Sequence, residues 1–448
     1  MKNLFFAIIA MFALSGCIVD SFDTSPSAQP TFSTSADGLD MGLFFANTPS
    51  PTSNLRILNR NSKLISLSEV RMRSGEYFRI NVDGQAGRVF SDVDIRPNDS
   101  VYVFIECTLP EPTEAEPVEY ADWLDVTTNG VTRSVRVSAR SQRVNRLDGV
   151  WLGEDFTISA EVPTLVSDTL RVGPGVRLTV EPGARLLFHD GAALVVDGTL
   201  LCDGTAEAPI EFSGDRTNNV VADISYEVMS NQWEGVRFTS SSRGNRLAHT
   251  SVINTCRGVS VDSLADLTLL NSRLYNSGGR QLVAADSTTV VALGCEISNA
   301  ASALVHLGAG NFVFDRCTIA NWYLFKWPDE EIIVLAAPET MTADFANCII
   351  YGRDTAISDY DNPEEVNVWF RRCLFSSKGN DDARYQACLW ETDPLLSYSL
   401  TEYTFSYLPA PDSPALGAAN ADLDHPLLPV ADRHGRPRLQ TLGAYAPE

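Results

Sequence analysis

Five stretches of the sequence share one pattern: residues 267–276 read LTLLNSRLYN, 290–299 VVALGCEISN, 312–321 FVFDRCTIAN, 343–352 ADFANCIIYG and 368–377 VWFRRCLFSS. In each stretch the first, third and eighth positions are apolar and the sixth is serine or cysteine. The sixth positions are Ser272, Cys295, Cys317, Cys348 and Cys373, which are 23, 22, 31 and 25 residues apart. A period near 22 residues predicts a solenoid of stacked coils.

The repeat is typical of a parallel β-helix, in which strands of successive coils pair about 4.8 Å apart and equivalent side chains form internal columns. We expect about eleven such coils between Leu165 and Phe405. Asparagine at the tenth position predicts a turn in left-handed geometry, where each amide can bond the amide one coil away. The predicted structural ladder comprises Asn254, Asn276, Asn299, Asn321, Cys295, Cys317, Cys348 and Cys373.

The sequence contains nine cysteines. Cys17 closely follows an N-terminal apolar run that is typical of export signals, and the other eight lie in the body of the chain. An even number in an exported chain is consistent with disulfides. In the ladder, however, neighbouring Cβ vectors run parallel instead of toward each other, which favours a buried thiol column. Because no Cys-x-x-Cys motif is present, we predict no metal site at these cysteines.

The N-terminal residues form an export signal. Lys2 precedes an apolar run at residues 4–14, which is too short to span a bilayer, and residues 14–17 read LSGC. Small residues before a cysteine resemble the lipobox of bacterial lipoproteins. The resemblance implies cleavage before Cys17, acylation there and attachment to a membrane. An ordinary secretory signal with an incidental cysteine is the alternative.

This resemblance predicts a signal peptide at residues 1–16 and an acylated anchor with a polar tether at 17–30. Ile18 and Val19 follow the cysteine, so the aspartate that favours inner-membrane retention is absent. We therefore expect a lipid-anchored cell-envelope protein, associated with the outer membrane on its periplasmic or surface-exposed face.

Residues 31–147 alternate short apolar and β-branched runs with turn residues. The clearest runs lie at 55–58, 63–67, 77–80, 101–105 and 131–137. This spacing predicts a β-sandwich. The order of cues at 78–82, 95–100 and 128–130 resembles immunoglobulin-like modules that accompany cell-surface anchors.

A second resemblance covers residues 148–448. Glycine and proline punctuate residues 172–212, and QWEGVRF follows at 232–238. These segments resemble right-handed parallel β-helix surface lipoproteins with a pectate-lyase-like fold, which implies an all-β chain with a solenoid at 148–405. Residues 432–438, DRHGRPR, and 442–445, LGAY, resemble the closing segments of the choice-of-anchor Q family and imply a closing segment at 406–448. Thr441 and Leu442 stand where that family has aspartate and isoleucine before glycine.

Composition excludes several function classes. The 57 acidic residues exceed the 34 basic ones and give a formal charge of -23, which argues against nucleic-acid partners. Five scattered histidines form no zinc motif, and nucleophile elbows and phosphate loops are absent. No catalytic residue, cofactor or metal site is predicted.

Two long segments in adjacent coils carry aromatic and acidic residues together. Aromatic faces stack on sugar rings, and carboxylates bond hydroxyls or hold calcium. The candidate glycan or calcium residues are Trp322, Trp327, Asp329, Asp359, Tyr360 and Asp361. Loops that only cover the coil surface are the alternative.

The predicted function is a non-catalytic envelope lipoprotein whose β-helix rod serves adhesion, glycan or surface-protein contact, or envelope structure. The alternative is a polysaccharide lyase or glycoside hydrolase with a site on the β-helix loops.

Overall fold

The structure, a computed structural model, describes residues 32–216, 219–221, 224–353, 357 and 367–447. Across these residues the regular elements are strands and short 3-10 turns, and none is a helix long and apolar enough to cross a membrane. The chain divides into two compact units between Arg143 and Val144. The predicted fold class, a β-sandwich followed by a parallel β-helix, is confirmed.

The N-terminal unit consists of two five-stranded sheets and a short ribbon. The first sheet has the order Phe32–Thr34, Ser53–Asn59, Ser100–Cys107, Phe78–Val82, Gln85–Gly87. The second has the order Gly38–Phe45, Val131–Gln142, Val118–Thr128, Glu69–Met72, Val89–Phe90. The ribbon pairs Ile65–Leu67 with Val93–Ile95. Every second residue of Ser100–Cys107 is buried, so one face of each sheet joins a common apolar core.

The C-terminal unit winds through three parallel sheets, here named A, B and C. Sheet A contains Asn145–Leu147, Thr164–Val166, Arg185–Phe188, Ile210–Gly214, Thr250–Ile253, Arg273–Ser277, Glu296–Ala300, Thr318–Asn321, Ile349–Gly352 and Leu374–Phe375. Sheet B contains Trp151–Leu152, Leu170–Val172, Ala193–Val196, Gly235–Phe238, Val259–Val261, Leu282–Ala284, Val305–Leu307 and Ile333–Leu335. Sheet C contains Phe156–Ile158, Arg177–Val180, Thr199–Asp203, Asn245–Ala248, Asp266–Leu270, Thr288–Leu293, Gly310–Asp315, Met341–Ala346, Asn367–Arg371 and Tyr385–Gln386.

The repeat positions align in the strand register, and this alignment builds the core. Phe314 pairs with Phe345 and Phe345 with Phe370 in sheet C. The three rings stack in nearly parallel planes, with centroids 4.7 and 4.6 Å apart. Strands buried on both sides by neighbouring coils tolerate only side chains that fill such columns.

The last coil ends earlier than the sequence pattern predicted. Sheet A has ten strands. The last strand of the solenoid is Tyr385–Gln386, in sheet C, and not a strand near Phe405. Residues Leu396–Ser399 and Thr404–Pro409 form an antiparallel hairpin. Their alternating pattern is common to coil strands and hairpins, so it could not distinguish the two.

The segment after the solenoid, residues 396–447, is here named the covering segment and lies along the outer face of sheet A. Its buried side chains, among them Leu396, Tyr407 and Leu442, pack against outward residues of sheet A such as Ile349 and Leu374. The 3-10 turn Ala421–Leu423 belongs to this segment. Three further short elements lie in connections between solenoid strands: the strand pair Asn219–Val221 with Ile224–Ser225 and the turns Tyr226–Val228 and Pro338–Thr340. The segment thus covers an apolar side of the solenoid that would otherwise face solvent.

A column of left-handed residues attaches this segment. The residues that precede the serine and cysteine column are Asn271, Gly294, Arg316, Asn347 and Arg372, and all have positive φ, as does His249, which precedes Thr250 one coil earlier. Arg316 pairs with Asp424 at 2.8 Å and donates to the Leu439 and Thr441 carbonyls. Asn347 exchanges two hydrogen bonds with the backbone of Asn420.

Asp315 is buried beneath the covering segment. One of its oxygens accepts a hydrogen bond of 2.7 Å from the backbone N–H of His425. Burial raises the pKa of Asp315 to about 6, and the neighbouring Asp424 carboxylate adds to the effect, although Arg316 opposes it. The solenoid therefore holds a carboxyl group that ionises at a cost near neutral pH.

Replacing Phe345 with alanine should lower the free energy of unfolding of the solenoid by about 3–5 kcal/mol, because a cavity opens between two stacked rings. Urea unfolding followed by tryptophan fluorescence measures the change. The matched control is Val313→Ala, whose side chain is half-buried on the outward side of a neighbouring strand. Equal losses in the two variants would contradict the column as the main source of stability.

Asp315→Asn should raise the thermal midpoint of the solenoid at pH 7.5 and have little effect at pH 4.5. A carboxyl whose folded pKa lies above its unfolded value contributes most stability at low pH and loses that contribution as pH rises through about 6. The amide keeps an acceptor for His425, and the expected gain at pH 7.5 is on the order of 2 kcal/mol. The control is Asp422→Asn, an exposed acid of the segment that covers Asp315. A gain that does not change with pH would refute the assignment.

Candidate functional site

The four ladder asparagines are buried at one side of the coils but do not act alike. Asn276 donates to the side-chain oxygen of Asn254 at 2.8 Å, as expected for a ladder. Asn299 instead accepts from the Tyr407 hydroxyl and the Trp322 backbone N–H. Asn321 lacks positive φ and bonds backbone groups of Ala300. The amide-to-amide pattern therefore ends at Asn276, because Tyr407 of the covering segment and Trp322 of a long loop occupy the side-chain oxygen of Asn299.

The cysteine column is buried and consists of free thiols. Cys295, Cys317, Cys348 and Cys373 are fully buried, and each thiol donates to a backbone carbonyl at 3.2–3.4 Å. Burial raises the pKa of Cys295, Cys317 and Cys348 well above the usual value. Neutral thiols of this kind are poor nucleophiles and poor metal ligands.

The structure places Trp322 in a packing role. Its ring stacks on Tyr398 of the hairpin, with centroids 4.8 Å apart, and contacts Tyr351 of sheet A. The neighbouring Tyr323 is also buried and shares a hydrogen bond of 2.7 Å with Ser230. The start of this loop therefore fixes the covering segment and presents little surface for a ligand.

Further along the same loop, Trp327 and Asp329 are exposed. Trp327 is 67% exposed, and the guanidinium of Arg353 lies 5.1 Å from its ring centroid. Asp329 pairs with Lys326 at 2.7 Å. Asp359, Tyr360 and Asp361 lie outside the described residues, as does Cys17.

Within the described ranges, no group of three or more histidine, cysteine or acidic side chains could hold a metal ion. Asp329 is held by a lysine, and Glu330 by Arg280, which lowers the pKa of Glu330 to about 2. The charged side chains of Lys326 and Arg280 thus occupy these carboxylates, at the positions where a metal ion would bind.

A cavity of about 410 Å³ on the outer face of sheet A brings charged and aromatic residues together. Its walls come from the turn Tyr226–Val228, from sheet A and from the hairpin turn. The polar and aromatic residues among those that line it include Glu227, Arg273, Tyr275, Glu402, Tyr403 and Phe405.

Arg273 forms the floor of this cavity. Its guanidinium lies 4.0 Å from the centroid of the Tyr275 ring, and it donates to Glu296 at 2.9 Å and to the Phe405 carbonyl at 2.8 Å. Burial lowers the pKa of Arg273, but the Glu296 carboxylate together with Tyr445 and Tyr275 more than offsets this, so the pKa is raised overall. The floor is therefore a fixed, positively charged donor above an aromatic ring.

Glu296 is buried beneath that floor and is fully engaged. Besides the bond from Arg273, it accepts hydrogen bonds from the hydroxyls of Ser298 and Tyr445. Because Tyr445 belongs to the covering segment, this network joins the floor of the cavity to the C-terminal residues.

The cavity can hold a polar ring. Tyr403 is 39% exposed and offers an aromatic face, while the exposed carboxylates of Glu227 and Glu402 can accept hydrogen bonds from hydroxyl groups. A concave site with aromatic walls and a few placed polar groups is the usual form of a small-ligand site.

Sequence reasoning missed these residues. Arg273 and Tyr275 occupy the seventh and ninth positions of the repeat, which point outward. At the same positions other coils have Ile349 and Tyr351, and apolar residues at outward positions were the available signal that another segment covers this face.

No protein-family model matches the sequence, and no curated protein matches it either. Among solved structures, a family 123 glycoside hydrolase from Clostridium perfringens has 13% sequence identity and a TM-score of 0.17, over 26% of this chain and 26% of that chain. The chain thus spans about a quarter of the length of the hydrolase chain that it matches, and a similarity of this extent supports no conclusion about fold or activity.

Proposed function

We propose that the protein is a lipid-anchored component of the bacterial cell envelope that binds a glycan, without turning it over, in the cavity above Arg273. The observation that carries this proposal is the floor itself, where a fixed guanidinium lies over the Tyr275 ring beside exposed Tyr403. Sugar rings stack on aromatic faces, and their hydroxyls bond fixed charged groups.

The anchoring part of the proposal rests on the sequence. The LSGC motif at residues 14–17 and the resemblance to β-helix surface lipoproteins, including the choice-of-anchor Q family, support acylation at Cys17 and an outer-membrane location. A polar tether at 17–30 would leave the two folded units free to contact a glycan or a surface protein.

The state of the buried acid supports binding over catalysis. Both oxygens of Glu296 are occupied by donors, so this carboxylate is not available to transfer a proton to a ligand. One observation favours an enzyme as the second candidate: Glu227 and Glu402 line the cavity from two different segments, and glycosidases place two carboxylates on either side of the scissile bond.

Tyr403→Ala should weaken glycan binding about five- to tenfold, since one stacking face is lost. A glycan array probed with the full chain identifies a bound saccharide, and titration calorimetry with that saccharide compares the variants. The matched control is Trp151→Ala, an aromatic residue 57% exposed on sheet B, which should bind as wild type. Trp327→Ala tests the sequence-predicted patch in the same titration. Equal binding by wild type and Tyr403→Ala would exclude the cavity. Product release that Glu402→Gln abolishes would establish the enzyme instead.

Cys17→Ser should move the protein from the membrane fraction to the soluble fraction and abolish incorporation of labelled palmitate, because the acylated thiol is removed. The full chain expressed in a Gram-negative bacterium and fractionated by ultracentrifugation provides the measurement. Cys256→Ser, at a half-buried cysteine of the solenoid, is the control and should remain in the membrane fraction. Labelled, membrane-bound Cys17→Ser protein would disprove the anchor.

A further inference from the structure

The N-terminal unit contains a second and larger cavity, of about 580 Å³. It lies among Glu69–Met72, Phe78–Val82 and the two short strands that follow them in the chain, Gln85–Gly87 and Val89–Phe90. Four arginines line it, namely Arg71, Arg73, Arg79 and Arg88, and Glu76 is the one acidic residue in the lining. This concentration of positive charge is unexpected in a chain with a formal charge of -23.

Two of the four arginines already have carboxylate partners. Arg73 makes a two-pronged contact with Asp125, with bonds of 3.0 and 2.8 Å, and Arg71 lies 3.2 Å from Glu69. The Asp125 carboxylate raises the pKa of Arg73 through this contact, and the Arg73 guanidinium lowers the pKa of Asp125. These pairs hold one side of the cavity in place.

The other two arginines are exposed and have no acidic partner among the described residues. Arg79 donates to the neutral hydroxyl of Thr108 at 2.9 Å, and Arg88 lies on the short connection between the last two strands. Glu76 is exposed at the turn before Phe78–Val82 and interacts with Tyr77. With Glu69 and Asp125 offsetting two arginines and Glu76 a third, the cavity keeps a net charge of about +1, and Arg79 and Arg88 are the guanidinium groups that an anion could contact.

The lining also has an apolar side. Met72, Phe78 and Ile80 are buried core residues that reach the cavity, while Val89 is 59% exposed at its edge. A free phosphate ion would occupy a small part of 580 Å³, whereas a saccharide that bears an anionic group would occupy more of it and could pack the C–H face of a ring on these side chains.

We propose that this cavity binds an acidic saccharide, with its carboxylate or phosphate group on Arg79 and Arg88 and its ring against the apolar side. The site lies within the N-terminal unit and is independent of the cavity above Arg273. It gives the chain a preference for anionic glycans that its overall charge opposes.

The test uses the purified full chain and titration calorimetry with three probes: trigalacturonate, inorganic phosphate and the neutral trisaccharide maltotriose. The double variant Arg79→Gln, Arg88→Gln should bind trigalacturonate at least tenfold more weakly than wild type. The matched control, Arg60→Gln with Arg140→Gln, makes the same change in charge at exposed arginines of the same unit outside the cavity and should bind as wild type. Wild-type affinity should fall as salt rises from 50 to 300 mM, since charge pairing supplies much of it.

Binding of trigalacturonate but not maltotriose, lost in the cavity variant alone, is the expected result. Four outcomes overturn the proposal: no binding of either anion, binding of phosphate without trigalacturonate, equal loss in both double variants, or full retention in the cavity variant. Tyr403→Ala in the same titration separates the two sites, because a ligand of the Arg273 cavity would respond to that variant and not to Arg79→Gln, Arg88→Gln.

Discussion

The structure depends on one constraint: every inward side chain of a coil lies directly between the equivalent side chains of its neighbours. A parallel strand enclosed on both sides has no water to solvate it, so each inward side chain must be apolar or, as at Ser272, hydrogen-bonded to the backbone, and must match the volumes above and below. The stack of Phe314, Phe345 and Phe370 meets this requirement in the later coils. Phe188 pairs in register with Gly214, which has no side chain, and its ring stacks on Trp233 at 4.0 Å instead. Loops can vary in length because the column, and not the connection, sets the register.

The same register leaves the outer face of sheet A to be covered, and this determines where a site can form. Ile349, Tyr351 and Leu374 point outward and are buried by the C-terminal segment, which the left-handed column attaches through Arg316 and Asn347. Elsewhere on this face the hairpin turn at residues 402–406 leaves space above sheet A, and Arg273 forms the floor of a cavity there. The cavity is therefore bounded by the covering segment, so the residues that line it and those that close the fold share one network through Glu296 and Tyr445.

The parts of this structure that could be predicted from sequence are those determined by neighbours one coil away. The repeat placed the inward apolar columns and the buried cysteines, because each depends only on the residue at the same position in the next coil. It could not place residues 396–409, since alternation is equal in a coil strand and in a hairpin. Nor could it place Trp322, a predicted binding residue, against Tyr398, because that contact joins distant segments. The cavity combines Glu227, Arg273 and Tyr403, which share no spacing, and only the folded chain brings them together.

Net charge is a poor guide to this molecule because its arginines are not used uniformly. Along the solenoid they pair with acids of adjacent coils, as Arg171 does with Asp197 and Arg237 with Asp262. Such pairs offset charge locally and leave the excess of carboxylates to set the field at long range. In the N-terminal unit, Arg79 and Arg88 have no acidic partner within the described part of the chain, so a short-range positive region exists within a negative molecule. Salt screens the long-range repulsion more than the contact itself, and an anion that reaches the cavity is therefore governed by the arginines it touches and not by the formal charge of the chain.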